Sequence, residues 1–532
     1  MKILLVSEFS MLSTGYAAYY KEIAHTLTKA GHEVVELACY GDSNDTSHIR
    51  YQKKCPWKIM FNIPHKNDQI AQQMYAERNK RFGDSKYGGW IFDNICAQEH
   101  PDTVISIRDF WYDKFIVESP ASKYMNVVLM ATVDSCPQRG EWLDVYGRCD
   151  YLTTYNEWSQ DWLKTQYKCH NLTNFISPSA DDAYRPLSKK DCRKFLGIPE
   201  NIKIGGTVMR NQRRKRYPEL FEAVKRVPDM YLYCHTAYPD KGWEIPNLIL
   251  ESGIHDRVFM TFMCNNCNKI EGKLFSTRSP TCSKCGRKME TCSSRKGATN
   301  DNLARIYNCF DIYLQPHNSE GFGIPVIEAA KCGVRSITTN YAAQIDVAKR
   351  TGAIPIEPLR LERELESNSL RALINIDEWA DILNNPKTWV YDPKDIIDIY
   401  NKNYSWEMTG SKWLSLIDKI KPKNLWETKP EIKQVSSFEE LESKHYSNAE
   451  FILACILMVA NKSNLIGSFI HTELLDSLNS GMYFNQSDDG MFIAMDRKKV
   501  YNKLRSITEY ENQWEKARAG IRTGAMSLKN SK

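Results

Sequence analysis

Long hydrophobic runs are missing from this sequence. The longest apolar stretch, FILACILMVA at 451–460, falls far short of the roughly 20 residues that cross a bilayer, so no transmembrane helix is expected. The opening MKILLVSEF is interrupted by Glu8 too early for an export signal and reads as a buried first strand. A soluble, cytoplasmic protein is the expectation. Repeats and low-complexity tracts are also missing, and the 71 Lys and Arg against 65 Asp and Glu leave only +6, mild for 532 residues. Sixteen cysteines are present, but most stand alone in apolar surroundings (Cys39, Cys136, Cys234, Cys455) and read as small buried hydrophobes. Without an export signal, the paired ones point to metal rather than to disulfides.

The chain is long enough for more than one hydrophobic core. Strand-like and helix-like segments alternate along it, which predicts a parallel, doubly wound α/β sheet. KILLVSEF, HEVVELACY, TVISIRDF (103–110), NVVLMATVD (126–134), YLTTYNE (151–157) and NLTNFISP (171–178) read as strands, with a helix from Ala17 to Lys29 before Gly31. After a break the pattern restarts with KIGGTVMR, a helix from Pro218 to Val227, MYLYCHT, a helix from Asn302 to Asn308, IYLQP, a helix opening at Pro325, RSITTN and GAIPIEP. The expected organisation is a Rossmann-like domain over 1–180, a second over 190–403, an amphipathic helix over 404–420, and a helical appendage over 425–532 with a capping box at Ser447–Glu450.

Two stretches could carry chemistry. PHNSEGFGIPVIEAAKCG (316–333) follows a strand, at the carboxyl end where open parallel sheets bind ligands. Gly321 and Gly323 permit close backbone approach, and Pro325 suits a first helical turn, so free N–H groups and the positive helix end face the loop. Glu320 and Glu328 can face the same cleft, where carboxylates accept hydrogen bonds from sugar or ribose hydroxyls. A Gly-rich turn with two surface glutamates is the plainer reading of that stretch alone. The second, RNQRRKR (210–216), leaves another strand with five basic residues among seven and could converge on the same phosphates. One or two of the five are expected to touch a ligand.

Together these stretches resemble the donor-binding half of the retaining, GT-B fold glycosyltransferases of family 4. The resemblance rests on two glutamates with seven residues between them and GFG-P in that interval, on an Arg and a Lys matching Arg210 and Lys215, and on KGWEIP (241–246), NLARIYNCFDIYLQP and YSWEMTGSKW. In the first domain it is thinner, resting on Ser13-Thr14-Gly15-Tyr16. The resemblance implies two Rossmann-like domains facing a cleft and a nucleotide-sugar donor, with the 404–420 helix crossing back to the first domain. Glu328 would hold the ribose hydroxyls and Glu320 a sugar hydroxyl. Arg210 and Lys215 would neutralise the departing diphosphate. Gly15 and the backbone of Gly321, Phe322, Gly323 and Ile324 would complete the site. Many members have a His after the strand equivalent to NVVLMATV; here the residue is Asp134, which could hydrogen-bond a hydroxyl or act as a base. Asp109 and His235 are strand-end alternatives.

Between 262 and 292 lies an insertion with Cys264-x-x-Cys267, fourteen residues, then Cys282-x-x-Cys285-Gly286. That is close to a four-cysteine zinc pattern, a closed site with no open position and hence a structural metal. Cys292 is expected to be a bystander. From Cys264 to Lys296 there are eight Lys or Arg against two Glu, so this insertion carries the chain's basic excess. A solvated loop explains that charge; so does contact with a polyanion. The leading expectation is a glycosyltransferase using a nucleotide-activated sugar; a nucleic-acid base in DNA or RNA is one candidate acceptor, which would have to leave the stack. The alternatives are a glycan or lipid-linked sugar acceptor, an epimerase or phosphorylase on the same fold, and a zinc-ribbon nucleic-acid-binding protein with an inactive transferase half.

Overall fold

The computed structural model describes residues 1–12, 14–167, 170–240, 242–292 and 297–426, and short pieces beyond them at 438–442, 484–486, 493–495, 498–499, 501–502 and 505. The chain divides into two compact units, Met1–Gly89 with Pro101–Lys423, and Trp90–His100 with Asn424–Lys532.

The larger unit holds two α/β domains. The first is built on six parallel strands: β1 (Lys2–Glu8), β2 (Glu33–Asp42), β3 (Lys58–Ile63), β4 (Thr103–Arg108), β5 (Asn126–Ala131) and β6 (Tyr151–Thr154), in the order β3-β2-β1-β4-β5-β6. Every residue of β4 and β5 is buried, as a sheet covered on both faces requires. The order reverses beside β1, so the loops after β1 and β4 open on a crevice. Helix Gly15–Lys29 starts in the first of these loops, capped by the Thr14 hydroxyl on the Ala17 N–H. The segment 171–178, expected as a strand, forms only a single bridge at Leu172 to Leu152. Its backbone bonds back to the sheet end, with the Thr153 hydroxyl on the Asn174 carbonyl, so it runs out as an edge. The strand β3 was not legible, because KIMFNI has no clean apolar alternation.

The second domain contains β7 (Lys203–Val208), β8 (Met230–His235), β9 (Val258–Cys264), β10 (Ile270–Leu274), β11 (Met289–Thr291), β12 (Ile312–Gln315), β13 (Ser336–Thr339) and β14 (Ile354–Ile356). The order is β10-β9-β8-β7-β12-β13-β14, and β11 also pairs with β9. Strands β10 and β11 are antiparallel to β9 and the rest run parallel. The cysteine insertion therefore continues the sheet instead of hanging from a loop. Beyond β14 a hairpin of β15 (Arg360–Arg363) and β16 (Leu370–Leu373) returns toward the first domain, where the Leu370 N–H donates to the Cys136 carbonyl at 2.8 Å.

Helix Trp406–Ile417 lies on helix Gly15–Lys29. The Trp413 indole donates to the Tyr19 hydroxyl at 2.8 Å, and a Cβ on Gly410 would sit 3.0 Å from the Thr26 methyl. In the smaller unit, the described residues form helices Phe92–Glu99 and Phe438–Glu442 and an antiparallel pair of Phe484–Gln486 with Ile493–Met495. The appendage is thus not wholly helical; the capping box at Ser447–Glu450 lies outside the described residues. Among the described residues no helix is long and apolar enough to cross a membrane.

Candidate active-site cleft

Loop 316–323 joins β12 to helix Ile324–Lys331 and fits tightly between the domains. Gly323 has φ +88°, a left-handed conformation, and a Cβ there would lie 2.2 Å from the Gln344 amide nitrogen. A Cβ on Gly321 would lie 2.5 Å from the Thr132 methyl of the first domain, and one on Gly15 would lie 3.1 Å from the Ile324 side chain. The Asn156 amide donates to the Gly321 carbonyl at 3.0 Å, locking the loop to the opposite domain. Pro325 occupies the first helical turn and the Val326 N–H bonds the Gly323 carbonyl at 3.0 Å, so the donors a helix start leaves toward the loop are those of Phe322 to Ile324.

Glu320, only 3% exposed, is held by two cations from the loop after β7. Its Oε2 lies 2.6 Å from Arg214 Nη1, and its Oε1 contacts Lys215 Nζ. Burial and then the neighbouring Arg214 charge lower the Lys215 pKa. His317 is buried beside them and stays neutral: burial, then the Lys215 charge, pushes its pKa down to about 3. Arg210 is not in this cluster. Its side chain is 57% exposed and its Nε lies 3.3 Å from Asp240 Oδ2.

Glu328 sits one turn inside the helix. Its Oε2 accepts from the Tyr307 hydroxyl at 2.7 Å, with Tyr184 as a second donor, and burial lifts its pKa to about 7 against both hydrogen bonds. Asp134 meets three groups. The Ser135 hydroxyl donates at 2.9 Å, and from across the cleft come the Ser319 hydroxyl at 3.2 Å and Arg371 Nη1 of the β16 strand at 3.0 Å. Asp109 accepts from the Tyr16 hydroxyl at 2.8 Å, and burial raises its pKa to about 7. Glu8, at the end of β1, accepts from the Thr14 hydroxyl and is raised by burial, with Arg210 among the charges that oppose the rise. His235 faces Thr261 at 3.0 Å, and burial depresses its pKa to about 4; it is a packed histidine.

The structure thus brings Glu320, Lys215, Gly15, the 321–324 loop and Asp134 to one cleft, and leaves Arg210 at its edge. Ser13 and Lys241 lie outside the described residues. Arg214, Glu8, Arg371 and Tyr184 were given no role from sequence, and Tyr16, Ser319 and Tyr307 lay inside the quoted motifs without one. Arg214 was hidden among five basic residues, and Glu8, Arg371 and Tyr184 stand in no site motif.

The four cysteines converge. Their sulfurs all lie within 4.8 Å of one another, with Cys264 to Cys285 at 3.4 Å and Cys267 to Cys282 at 3.6 Å. A tetrahedral ion with metal–sulfur bonds of about 2.3 Å spaces its ligands about 3.8 Å apart, and disulfide sulfurs would sit at about 2.05 Å. The cluster therefore fits a tetrahedral metal ion. Cys292 packs in the hydrophobic core, away from the cluster.

Residues 295–354 match the family described as Glycosyl transferases group 1. No curated protein sequence matches the chain. Among solved structures, a glycosyltransferase from Rickettsia africae superposes with a TM-score of 0.52 at 16% identity, over 79% of this chain and 98% of that one. Sucrose-phosphate synthase from Thermosynechococcus elongatus gives 0.56 at 15% identity, over 79% and 98%. Anabaena HepE, solved with UDP and glucose, gives 0.53 at 13% identity, over 79% and 99%. At these identities the likeness is one of fold. The chain thus adopts the GT-B architecture of two Rossmann-like domains, and its residues 295–354, with the loop and helix that carry Glu320 and Glu328, bear the mark of the glycosyl transferases group 1 family.

Proposed function

We propose that the protein is a retaining glycosyltransferase that moves a sugar from a nucleotide-sugar donor to an acceptor hydroxyl. The observation that carries this is the pairing of buried Glu320 with Arg214 and Lys215 at the start of a helix, in the segment that matches the family. A diphosphate seated there would take the two cations and the helix N–H groups, and would free Glu320 for a sugar hydroxyl. Glu328 would exchange its tyrosine donors for ribose hydroxyls. Arg210, at the rim, would swing from Asp240 onto the leaving diphosphate. The bond from the sugar's anomeric carbon to the phosphate oxygen breaks, and the acceptor oxygen bonds to that carbon on the same face. The acceptor's proton passes to the departing phosphate oxygen. Catalysis then rests on charge stabilisation and positioning. The solved complex of HepE with UDP and glucose supports a nucleotide-sugar donor on this fold.

Cys264, Cys267, Cys282 and Cys285 would hold a structural zinc ion, which supplies folding energy and no reactive position. For the acceptor, the nucleic-acid reading is supported by Arg278, Lys284, Arg287 and Lys288, which are exposed and form no ion pair among the described residues, whereas Lys269 and Lys273 are neutralised by Glu271. Zinc on four thiolates carries two negative charges and reduces, without cancelling, this basic excess. A second reading has its own observation. The acceptor side of the cleft presents the carboxyl groups of Glu8, Asp109 and Asp134, hydrogen-bonding partners that suit the hydroxyls of a neutral polyol such as a glycan.

Turnover of a panel of nucleotide sugars tests the donor, and the anomeric configuration of the product, read by NMR, tests retention. No hydrolysis or transfer from any donor, alongside tight nucleic-acid binding, would instead favour a binding protein with a silent transferase half.

A further inference from the structure

Two loops leave neighbouring strands at the carboxyl end of the second sheet: 209–216 after β7 and 236–244 after β8. They are tied by a reciprocal pair of hydrogen bonds. The Trp243 N–H donates to Asn211 Oδ1 at 2.7 Å, and Asn211 Nδ2 donates to the Trp243 carbonyl at 2.8 Å. The contact needs bare backbone, since a Cβ on Gly242 would sit 2.3 Å from Asn211 Oδ1. Beside it Asp240 receives Arg210 at 3.3 Å, and the Arg216 guanidinium lies 5.4 Å from the centre of the Trp243 ring.

The same 236–244 loop is gripped on its other side by the cysteine ribbon. Thr291, the last residue of β11, accepts from the Tyr238 N–H at 3.0 Å and donates to the Tyr238 carbonyl at 2.7 Å. Two residues back on that strand, Met289 pairs with Cys264, a member of the thiolate cluster, so the clip and the cluster share one short ladder. Tyr238, Trp243 and the ribbon's Cys264, Cys282 and Met289 also pack in a single apolar core with Met209.

We propose that the ribbon is a buttress for the phosphate-facing loop, and that Thr291 is its positioning residue. Thr291 sets the backbone at Tyr238, the 236–244 loop sets Asn211 and Asp240, and these fix the 209–216 loop, which carries Arg214 and Lys215 onto Glu320 and keeps Arg210 at the rim. The inference rests on reading that cleft as a nucleotide-sugar site. It accounts for an insertion placed directly between β9 and the next helix of the donor domain: β9 is a strand that reaches both the parallel sheet and the thiolate cluster.

The test uses the full-length, metal-loaded protein with Thr291→Val, which keeps the branched shape and removes the hydroxyl, and Thr291→Ser, which restores it. Hydrogen–deuterium exchange reads the two loops, bound metal reads the ribbon, and calorimetric titration with UDP, ADP and GDP reads the site. Thr291→Val is expected to keep its metal, to exchange faster across both 236–244 and 209–216, and to bind its preferred nucleoside diphosphate about tenfold more weakly, the scale of one or two missing hydrogen bonds. KM for the donor should rise with kcat within about twofold, and Thr291→Ser should return all readings toward wild type. Unchanged exchange at 209–216 together with unchanged affinity overturns the proposal. Asn211→Ala cuts the same path with the ribbon intact and must reproduce the affinity loss; full affinity in that variant also overturns it. Wild-type protein that binds none of the three nucleotides would remove the nucleotide-site reading, and exchange at 209–216 would then decide the buttress by itself.

Discussion

Glu320 shows how much depends on a single side chain in this cleft. It is buried against two cations, and its removal leaves Lys215 in an apolar setting with Arg214 as a like-charged neighbour. Glu320→Gln is expected to lower kcat by about 10²–10³, the usual scale for losing one charge-stabilising group, with donor KM changed far less; steady-state kinetics check it. Glu328 makes a different prediction because burial lifts its carboxyl to about 7. Tyr307 and Tyr184 oppose that rise, and Asp181 adds to it. The folded protein therefore holds this proton more tightly than the unfolded chain does. The contribution to stability falls as pH climbs from the ordinary carboxylate range to about 7 and is level above it. Nucleotide affinity should move the opposite way, rising severalfold from pH 6 to 8 as the ionised carboxylate becomes free to accept ribose hydroxyls. Titrations at several pH values check this, and Glu328→Gln should flatten the dependence. At this scale the motif glutamates, Lys215 and the glycines were legible because their spacing is local. Arg214 was not, because nothing in a run of five basic residues marks which one turns inward. Arg371 and Tyr184 were not, because each reaches the site from an element distant in sequence.

The cysteine ribbon is the element with the sharpest sequence signature, and its spacing alone indicated a four-ligand site. What spacing does not carry is that β9 runs from the parallel sheet directly into the cluster. The ribbon is thus part of the domain's sheet, so Cys282→Ser is expected to release the metal and lower Tm of the larger unit, in a scan that also follows bound zinc. Its exposed face tests separately. Reversing Arg278, Lys284, Arg287 and Lys288 to Glu should leave donor hydrolysis intact. If the acceptor is nucleic acid, it should weaken DNA or RNA binding and flatten the salt dependence by up to about 0.9 log unit for each phosphate no longer neutralised. Equal binding before and after the reversal would favour the polyol acceptor. Not every element was as readable. The segment 171–178 is apolar enough for a strand and bonds to the β6 backbone at Asn171, Thr173 and Ile176, but at the edge beyond β6 only one bridge forms and other carbonyls go to the Thr153 and Gln160 side chains.

Across the larger unit, the two domains are joined by specific polar contacts as well as by the returning helix Trp406–Ile417. Asp134 of the first domain meets Ser319 and Arg371 of the second, and the Trp158 N–H donates to Asp346 at 2.6 Å. Arg371→Met removes the charged link while keeping a long side chain. Faster exchange across 131–137 and a higher KM for the acceptor are the expected results, from hydrogen exchange and kinetics respectively. A variant indistinguishable from wild type would show that the link is incidental to closure.

The amino-acid sequence by itself determined that strands and helices alternate, that two sheets form, and that a glycine loop leads into a helix after β12. It also carried the thiolate cluster. All of these follow from periodicities and spacings shorter than about thirty residues, which local sterics, capping and ligand geometry suffice to impose. Only the tertiary structure decided which cation meets Glu320, why Asp134 is not a free base, and that the ribbon grips the loop beside Arg210. Those outcomes depend on groups from separate strands and from both domains arriving at one place, which is set by sheet order and packing and leaves no trace in any single stretch of the chain.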